Sequence, residues 1–179
     1  MIWEIDSTQS HVLFSVRVLS VIVTKGRFKS PRGHLSIDEV NPGNSWVEAE
    51  VDAASIDTSN WLRDTHLRSP SFFAVRRSPI ISFQSTTVEQ NSDSTYRLAG
   101  NLTLRGITKP ATFTIERNAS EADSSTCRLT ARGKINRRDF GLGQSLLLRF
   151  AAGRTVDIEI GMVAVRHATE PGEALVTVE

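Results

Sequence analysis

Alternation of apolar and polar residues at period two recurs along this chain, and it belongs to strands that bury one face and wet the other. It is clearest from Trp46 to Ala54, where Val47, Ala49, Val51 and Ala53 fall on one face and Glu48, Glu50 and Asp52 on the other. An earlier strand puts Val12, Phe14, Val16 and Val18 on one face. Leu19, Val21 and Val23 have the opposite parity, which predicts a bend or bulge at Val18 to Ser20 that turns both sets inward. Further strands are expected at Phe28 with Leu35 and Ile37, Ile81 with Phe83, Tyr96 with Leu98, and Leu102 with Leu104. Ala111, Phe113 and Ile115 make another, as do Cys127, Leu129, Ala131 and Gly133, and finally Val156, Ile158, Ile160 and Met162. The total of about eight or nine strands closes a barrel wide enough for one small ligand. Arg105-Gly106, between Leu104 and Ile107, supplies a tight hairpin with a residue that tolerates positive φ.

One segment breaks the alternation. Ser59 to Ser69 has good helix formers, places Asp64 four residues before Arg68 and stops at Pro70, so it reads as a short helix. Ser55-Ile56-Asp57-Thr58 ahead of it reads as capping chemistry, with an anion or headgroup site at the helix N-terminus as the alternative. Asn118 to Thr126 is polar and acidic, a hairpin loop. The length, 179 residues, suits one domain. Residues 1–167 form the expected barrel domain, and 168–179 a C-terminal tail in which Ala174 to Val178 have the pattern of an edge strand.

Several function classes find no support. Twenty-one Lys and Arg against twenty Asp and Glu give a net charge of +1 with no basic stripe, which argues against a nucleic-acid partner. Cys127 is the only cysteine, so there is no intramolecular disulfide and no cysteine zinc site, and its setting suits a small buried hydrophobe. His11, His34, His66 and His167 lack metal-ligand spacing. Asp64 and His66 would project about 200° apart on a helix. Gly141-Leu142-Gly143-Gln144-Ser145 fits neither a nucleophile elbow nor a dinucleotide loop, because Leu146 stands at the third glycine. No cofactor, metal or catalytic residue is therefore expected. The start at Met1 shows no leader and the apolar runs, such as Val18 to Val23, are far short of the ~20 residues of a membrane span, so the expectation is a cytoplasmic protein with no transmembrane anchor.

The residues also resemble a known family. Ser55-Ile56-Asp57-Thr58, Arg63-Asp64, His66-Leu67-Arg68-Ser69, Phe72-Phe73 and Pro79 are similar to the central signature of the YceI-like family. So are Phe83 with Ser85-Thr86, the run from Gly100 to Pro110, and Asn136-Arg137 with Asp139-Phe140-Gly141; the likeness runs from Trp3 to about Arg166. The resemblance implies an all-β fold, an antiparallel, extended lipocalin-like barrel of about eight strands with one short helix. It implies a hydrophobic tunnel for a polyisoprenoid, prenyl quinone or other long amphiphile, with the helix near one mouth. Members of the family commonly pair, which makes a homodimer the candidate assembly, and some relatives are periplasmic. Histidines frequent in the family are replaced here by Gln9 and Val18, which puts the polar contacts of those imidazoles in doubt.

The resulting expectation is non-catalytic binding, transport or storage of such a lipid. Phe14, Val16, Val47, Ala49, Val51, Ile81, Phe83, Leu102, Leu104, Phe113 and Ile158 are the candidates for the tunnel lining, and Arg63, Asp64 and His66 for the mouth or headgroup. Each five-carbon unit would contribute roughly 4 kcal/mol at ~0.8 kcal/mol per buried carbon. The alternative is an enzyme acting on a lipid-like or quinone-like substrate through Arg63, Asp64 and His66 at the barrel mouth.

Overall fold

Because alternating segments bury only one face each, they must curl around a shared interior, and the described residues do so in ten antiparallel strands. The computed structural model describes residues 2–92, 94–117, 125–143 and 152–166. The strands are β1 (Ile2–Ile5), β2 (His11–Val18), β3 (Ile22–Lys29), β4 (Arg32–Ser36), β5 (Trp46–Asp52), β6 (Ile80–Ser92), β7 (Thr95–Leu104), β8 (Ile107–Arg117), β9 (Thr126–Asn136) and β10 (Ala152–Val165). The single α-helix among the described residues is α1 (Trp61–Arg68), between β5 and β6. The expected loop at 118–124, the tail at 168–179 and His167 lie outside the described residues; Thr126, expected in that loop, begins β9.

Eight strands close the barrel in the order β1, β4, β5, β6, β7, β8, β9, β10, with β10 returning to β1 through Glu4 opposite Val165 and Ile5 opposite Ala164. The expected barrel is therefore present, although its strands differ in detail from those read in the sequence. Tyr96, Leu98, Leu102 and Leu104 belong to one strand, β7, whereas Phe28 and Leu35 belong to two, β3 and β4, and Ile37 follows the end of β4. The Arg105-Gly106 hairpin is as expected, with φ of 59° and 72° and Leu104 opposite Ile107.

β2 and β3 form a hairpin that pairs with the first part of β10. The expected bend at Val18 to Ser20 is instead the turn of this hairpin. Leu19 and Ser20 take φ of 52° and 63°, and Val18 faces Ile22 across the turn. The apolar residues beyond Val18 do not turn inward: Leu19, Val21, Ile22 and Val23 are 50–82% exposed. Parity could not reveal this, because no glycine or Asn-Gly marks the turn. A Val21→Ser variant should therefore change stability by no more than about 0.5 kcal/mol in a denaturant titration, and a loss of about 2 kcal/mol would show that the tip is packed.

β3 meets the segment after β5 at a short seam. Arg27 and Asp57 exchange backbone hydrogen bonds of 2.9 Å each, and the Lys29 amide donates to Ser55 Oγ at 3.0 Å. Asp57 also binds Lys29 Nζ at 2.9 Å and the Arg27 guanidinium at 3.2 Å. The Ser59 amide, followed by Lys29 and Arg27, holds the Asp57 carboxyl well below the usual carboxylate range. A carboxylate depressed by folding stabilises fully above its unfolded value, about 4, and that contribution is lost as pH falls through the lower folded value. Protection of the Arg27 and Asp57 amides from hydrogen exchange should accordingly fall below pH ~4, and Asp57→Asn should remove that step. An unchanged acid profile in the variant would mean that the seam does not depend on this ion pair.

Candidate functional site: an apolar tunnel along the barrel

Side chains on the inner face of the strands leave an internal cavity of about 230 Å³. Its wall on β10 includes Ala152, Val156, Ile158, Ile160 and Met162, so it follows ten residue steps of one strand, from 152 to 162. At ~3.3 Å per residue that is roughly 33 Å of strand, which makes the cavity long for its volume. Ten of the eleven expected lining residues surround it: Phe14, Val16, Val47, Ala49, Val51, Ile81, Phe83, Leu102, Phe113 and Ile158. Leu104 does not; it is buried in the core near the β7–β8 turn, because a strand contributes to the lumen only where its inward side chains meet open space.

Three of the phenylalanines lie against strand glycines, so the register makes room for them. Phe14 faces Gly26 on β3, and Phe113 faces Gly133 on β9. A Cβ added at Gly133 would come within 2.6 Å of the Phe113 ring, and one at Gly100 within 2.5 Å of the Phe83 ring. Phe83 and Phe113 then meet edge to face at 5.3 Å. Phe14, Phe28 and Phe73 form a second series, with centroids 5.6 and 5.4 Å apart. These contacts hold the rings in defined positions around the lumen.

Phe28, Leu67, Phe72, Phe73 and Leu142 also line the cavity, as do Ile5, Ile115 and Leu129, residues that the alternation marked as inward or left unassigned. Phe72 and Phe73 sit in a non-repetitive segment after α1, where no periodicity exists to assign a face. Three polar side chains along the wall, those of Ser10, Glu50 and Arg137, are committed. Ser10 Oγ accepts from the Val163 amide at 2.9 Å, and Glu50 accepts from Arg32 Nε at 2.8 Å. Arg137 is 5% exposed and donates to the carbonyls of Gly153 (2.7 Å), Leu142 (2.8 Å), Ala152 (2.9 Å) and Gly143 (3.3 Å). Burial, followed by the neighbouring charge of Arg138, pushes its pKa below the usual arginine value. The Arg137 side chain thereby fastens the turn after β9 to the start of β10 at one end of the cavity.

The same end carries α1, close to the extent expected from Ser59 to Ser69. Its cap is Asn60, whose side chain accepts from the Arg63 amide at 3.0 Å, and not the Ser55 to Thr58 run; Ser55 lies in a 3-10 turn, Ala53–Ser55, too far upstream to reach the first turn. Of the three residues expected at the mouth, Arg63 and Asp64 converge on Thr58 and His66 stands apart. Asp64 is buried and accepts from the Thr58 amide (3.0 Å) and hydroxyl (2.5 Å). Arg63 donates from Nε to Thr58 Oγ1 and from its terminal nitrogen to the Thr58 carbonyl, both at 2.8 Å. His66 is exposed and packs edge to face on Phe72 at 5.1 Å. Asp64 and Arg63 thus lock the entrance of the helix, while His66 touches the tunnel only through Phe72.

Cys127 is buried, and burial pushes its thiol pKa up, as suits a structural residue. Gln9, one of the two positions where family histidines are replaced, closes the β1–β2 turn by donating to Asp6 at 2.7 Å. No group of three or more candidate metal ligands occurs among the described residues. No described helix is long and apolar enough to cross a membrane.

A closed antiparallel barrel enclosing a long apolar cavity, with one short helix beside it, defines a lipocalin-like class of protein. The YceI-like domain model matches residues 3–164, and the chain belongs to that family. A UPF0312 protein of Serratia proteamaculans is 32% identical over 169 residues, 92% of this chain and 86% of that one. The crystal structure of Burkholderia cenocepacia BcnA shares the fold with a TM-score of 0.82 at 19% identity, covering 90% of this chain and 99% of that chain. A polyisoprenoid binding domain from Saccharophagus degradans superposes with a TM-score of 0.72 at 14% identity, covering 92% of this chain and 98% of that chain.

Proposed function

We propose that this chain binds and carries, or stores, a long slender apolar molecule, an isoprenoid or a similar amphiphile, without transforming it. The observation that carries this reading is the shape and chemistry of the cavity: apolar walls that run along β10 from Ala152 to Met162 around a volume of only about 230 Å³. Small-molecule sites commonly measure about 300–1,000 Å³, so a narrow lumen of this length suits a flexible chain better than a fused ring system. Support also comes from the structural neighbour described as a polyisoprenoid binding domain. The rival enzyme reading needs Arg63, Asp64 and His66 to act together, but two of them are engaged with Thr58 and the third lies on the exposed side of the helix.

Native mass spectrometry of the purified protein, followed by organic extraction, tests the proposal. The expected result is a stoichiometric long-chain lipid, or uptake of added geranylgeraniol by the stripped protein at one molecule per barrel. An empty protein that also refuses prenols and prenyl quinones would overturn it.

A further inference from the structure

Beside α1 lies a second concavity, of about 670 Å³, whose lining differs sharply from that of the tunnel. Arg68, Arg76, Arg77 and Arg105 surround it with Thr65 and Ser69, and no carboxylate is among the described residues that line it. None of the four arginines forms an ion pair with a described residue. In a chain with a net charge of only +1, four uncompensated arginines around one hollow are not a by-product of general basicity.

Two of these guanidinium groups are held in place. Arg68 donates to the carbonyls of Ala54 at 2.9 Å and Ile56 at 2.8 Å, and Arg105 donates to the carbonyls of Pro70 at 3.1 Å and Gly141. Each still has N–H donors to spare, since a guanidinium carries five. Arg76 and Arg77 are exposed and have no hydrogen-bond or ion-pair partner among the described residues. Ser69 Oγ is buried with no hydrogen-bond partner, the kind of orphan that a bound polar group satisfies. The segment has two sides: Leu67, Phe72 and Phe73 line the tunnel, while Arg68, Ser69, Arg76 and Arg77 line the basic hollow.

We propose that this hollow is an oxyanion site that takes a phosphate or diphosphate group. Planar guanidinium forks match the paired oxygens of such a group, and several positive charges suit its multiple negative charge better than they suit one carboxylate. The group can come from two sources: the head of an amphiphile whose tail lies in the tunnel, or a free anion. The first source rests on the carrier reading above; the anion site itself does not.

Isothermal titration calorimetry with three probes, inorganic pyrophosphate, geranylgeranyl diphosphate and geranylgeraniol, tests the site. The proteins compared are the native chain, an Arg76→Ser/Arg77→Ser double variant and Ala49→Trp. Pyrophosphate should bind the native chain, weaken with added salt, and lose at least about tenfold in affinity in the double variant, whose thermal midpoint should be unchanged because both side chains are exposed and unpartnered. Geranylgeraniol should bind the double variant as it binds the native chain. If the prenyl diphosphate binds more tightly than either partial probe and loses that advantage in Ala49→Trp, the anion is a lipid headgroup. If it binds no more tightly than pyrophosphate, the site takes a free anion. Absence of pyrophosphate binding, with prenyl diphosphate affinity equal in the native chain and the double variant, would overturn the proposal. Failure of geranylgeraniol alone would count against the carrier reading and leave the anion site standing.

Discussion

Ala49→Trp should abolish uptake of a prenyl chain while leaving a folded barrel. Ala49 lies on the inner face of β5 opposite Phe83 of β6, and both border the lumen. An indole there would occupy space along the middle of a narrow tunnel, and excluding four carbons costs about 3 kcal/mol at ~0.8 kcal/mol each, or a loss of more than ~100-fold in affinity. Overpacking should lower stability by about 1–3 kcal/mol, because the side chain enters open volume more than filled core. The measurement is a prenol titration set beside a denaturation curve for the same sample. Unchanged uptake by a folded variant would show that the ligand does not use this lumen.

Arg137→Met should produce the largest loss of stability. The native guanidinium donates to four carbonyls on two segments, and an apolar side chain of similar length leaves those oxygens without the charged donor. Leaving a buried acceptor unsatisfied commonly costs about 1–3 kcal/mol, so losing several together should cost about 3–5 kcal/mol, a large share of the 5–15 kcal/mol that holds a domain together. Arg137→Lys should recover part of this loss, since an ammonium offers three donors but not the planar fork. Equilibrium denaturation of both variants decides the matter. A cost below about 1 kcal/mol for the methionine variant would mean that the turn after β9 is held by packing alone.

Much of the barrel was legible in the sequence because a strand that buries one face must alternate. Val47, Ala49, Val51 and Ala53 read as inward and are buried or half-buried, and Ala111, Phe113 and Ile115 are all buried. The hairpin at Arg105-Gly106 was legible for a different reason, since a glycine at positive φ leaves a mark in the sequence. The turn at Leu19-Ser20 was not, because its residues adopt positive φ without any residue type that announces it. Nor was the role of Arg137, whose carbonyl partners among the described residues come from two stretches of chain that only the β9–β10 pairing brings together. The separation of Asp64 from His66 was legible as their two-residue spacing on a helix, but the meeting of Arg63 and Asp64 on the Thr58 hydroxyl was not, because it depends on how the chain enters α1.

What the sequence by itself determined is the inward face of the strands away from the β2–β3 tip, the short helix α1 and the family, since these depend on local periodicity and on motifs contiguous in the chain. Only the tertiary structure decided which inward residues border open space and which are packed, with Leu104 on the packed side. It alone placed the aromatic wall of Phe72 and Phe73 back to back with a hollow built from arginines at positions 68, 76, 77 and 105. The reason is physical: alternation reports whether a side chain leaves water, whereas the volume left unfilled, and the charge gathered from α1, the segment after it and the β7–β8 turn, depend on how barrel closure sets those parts side by side.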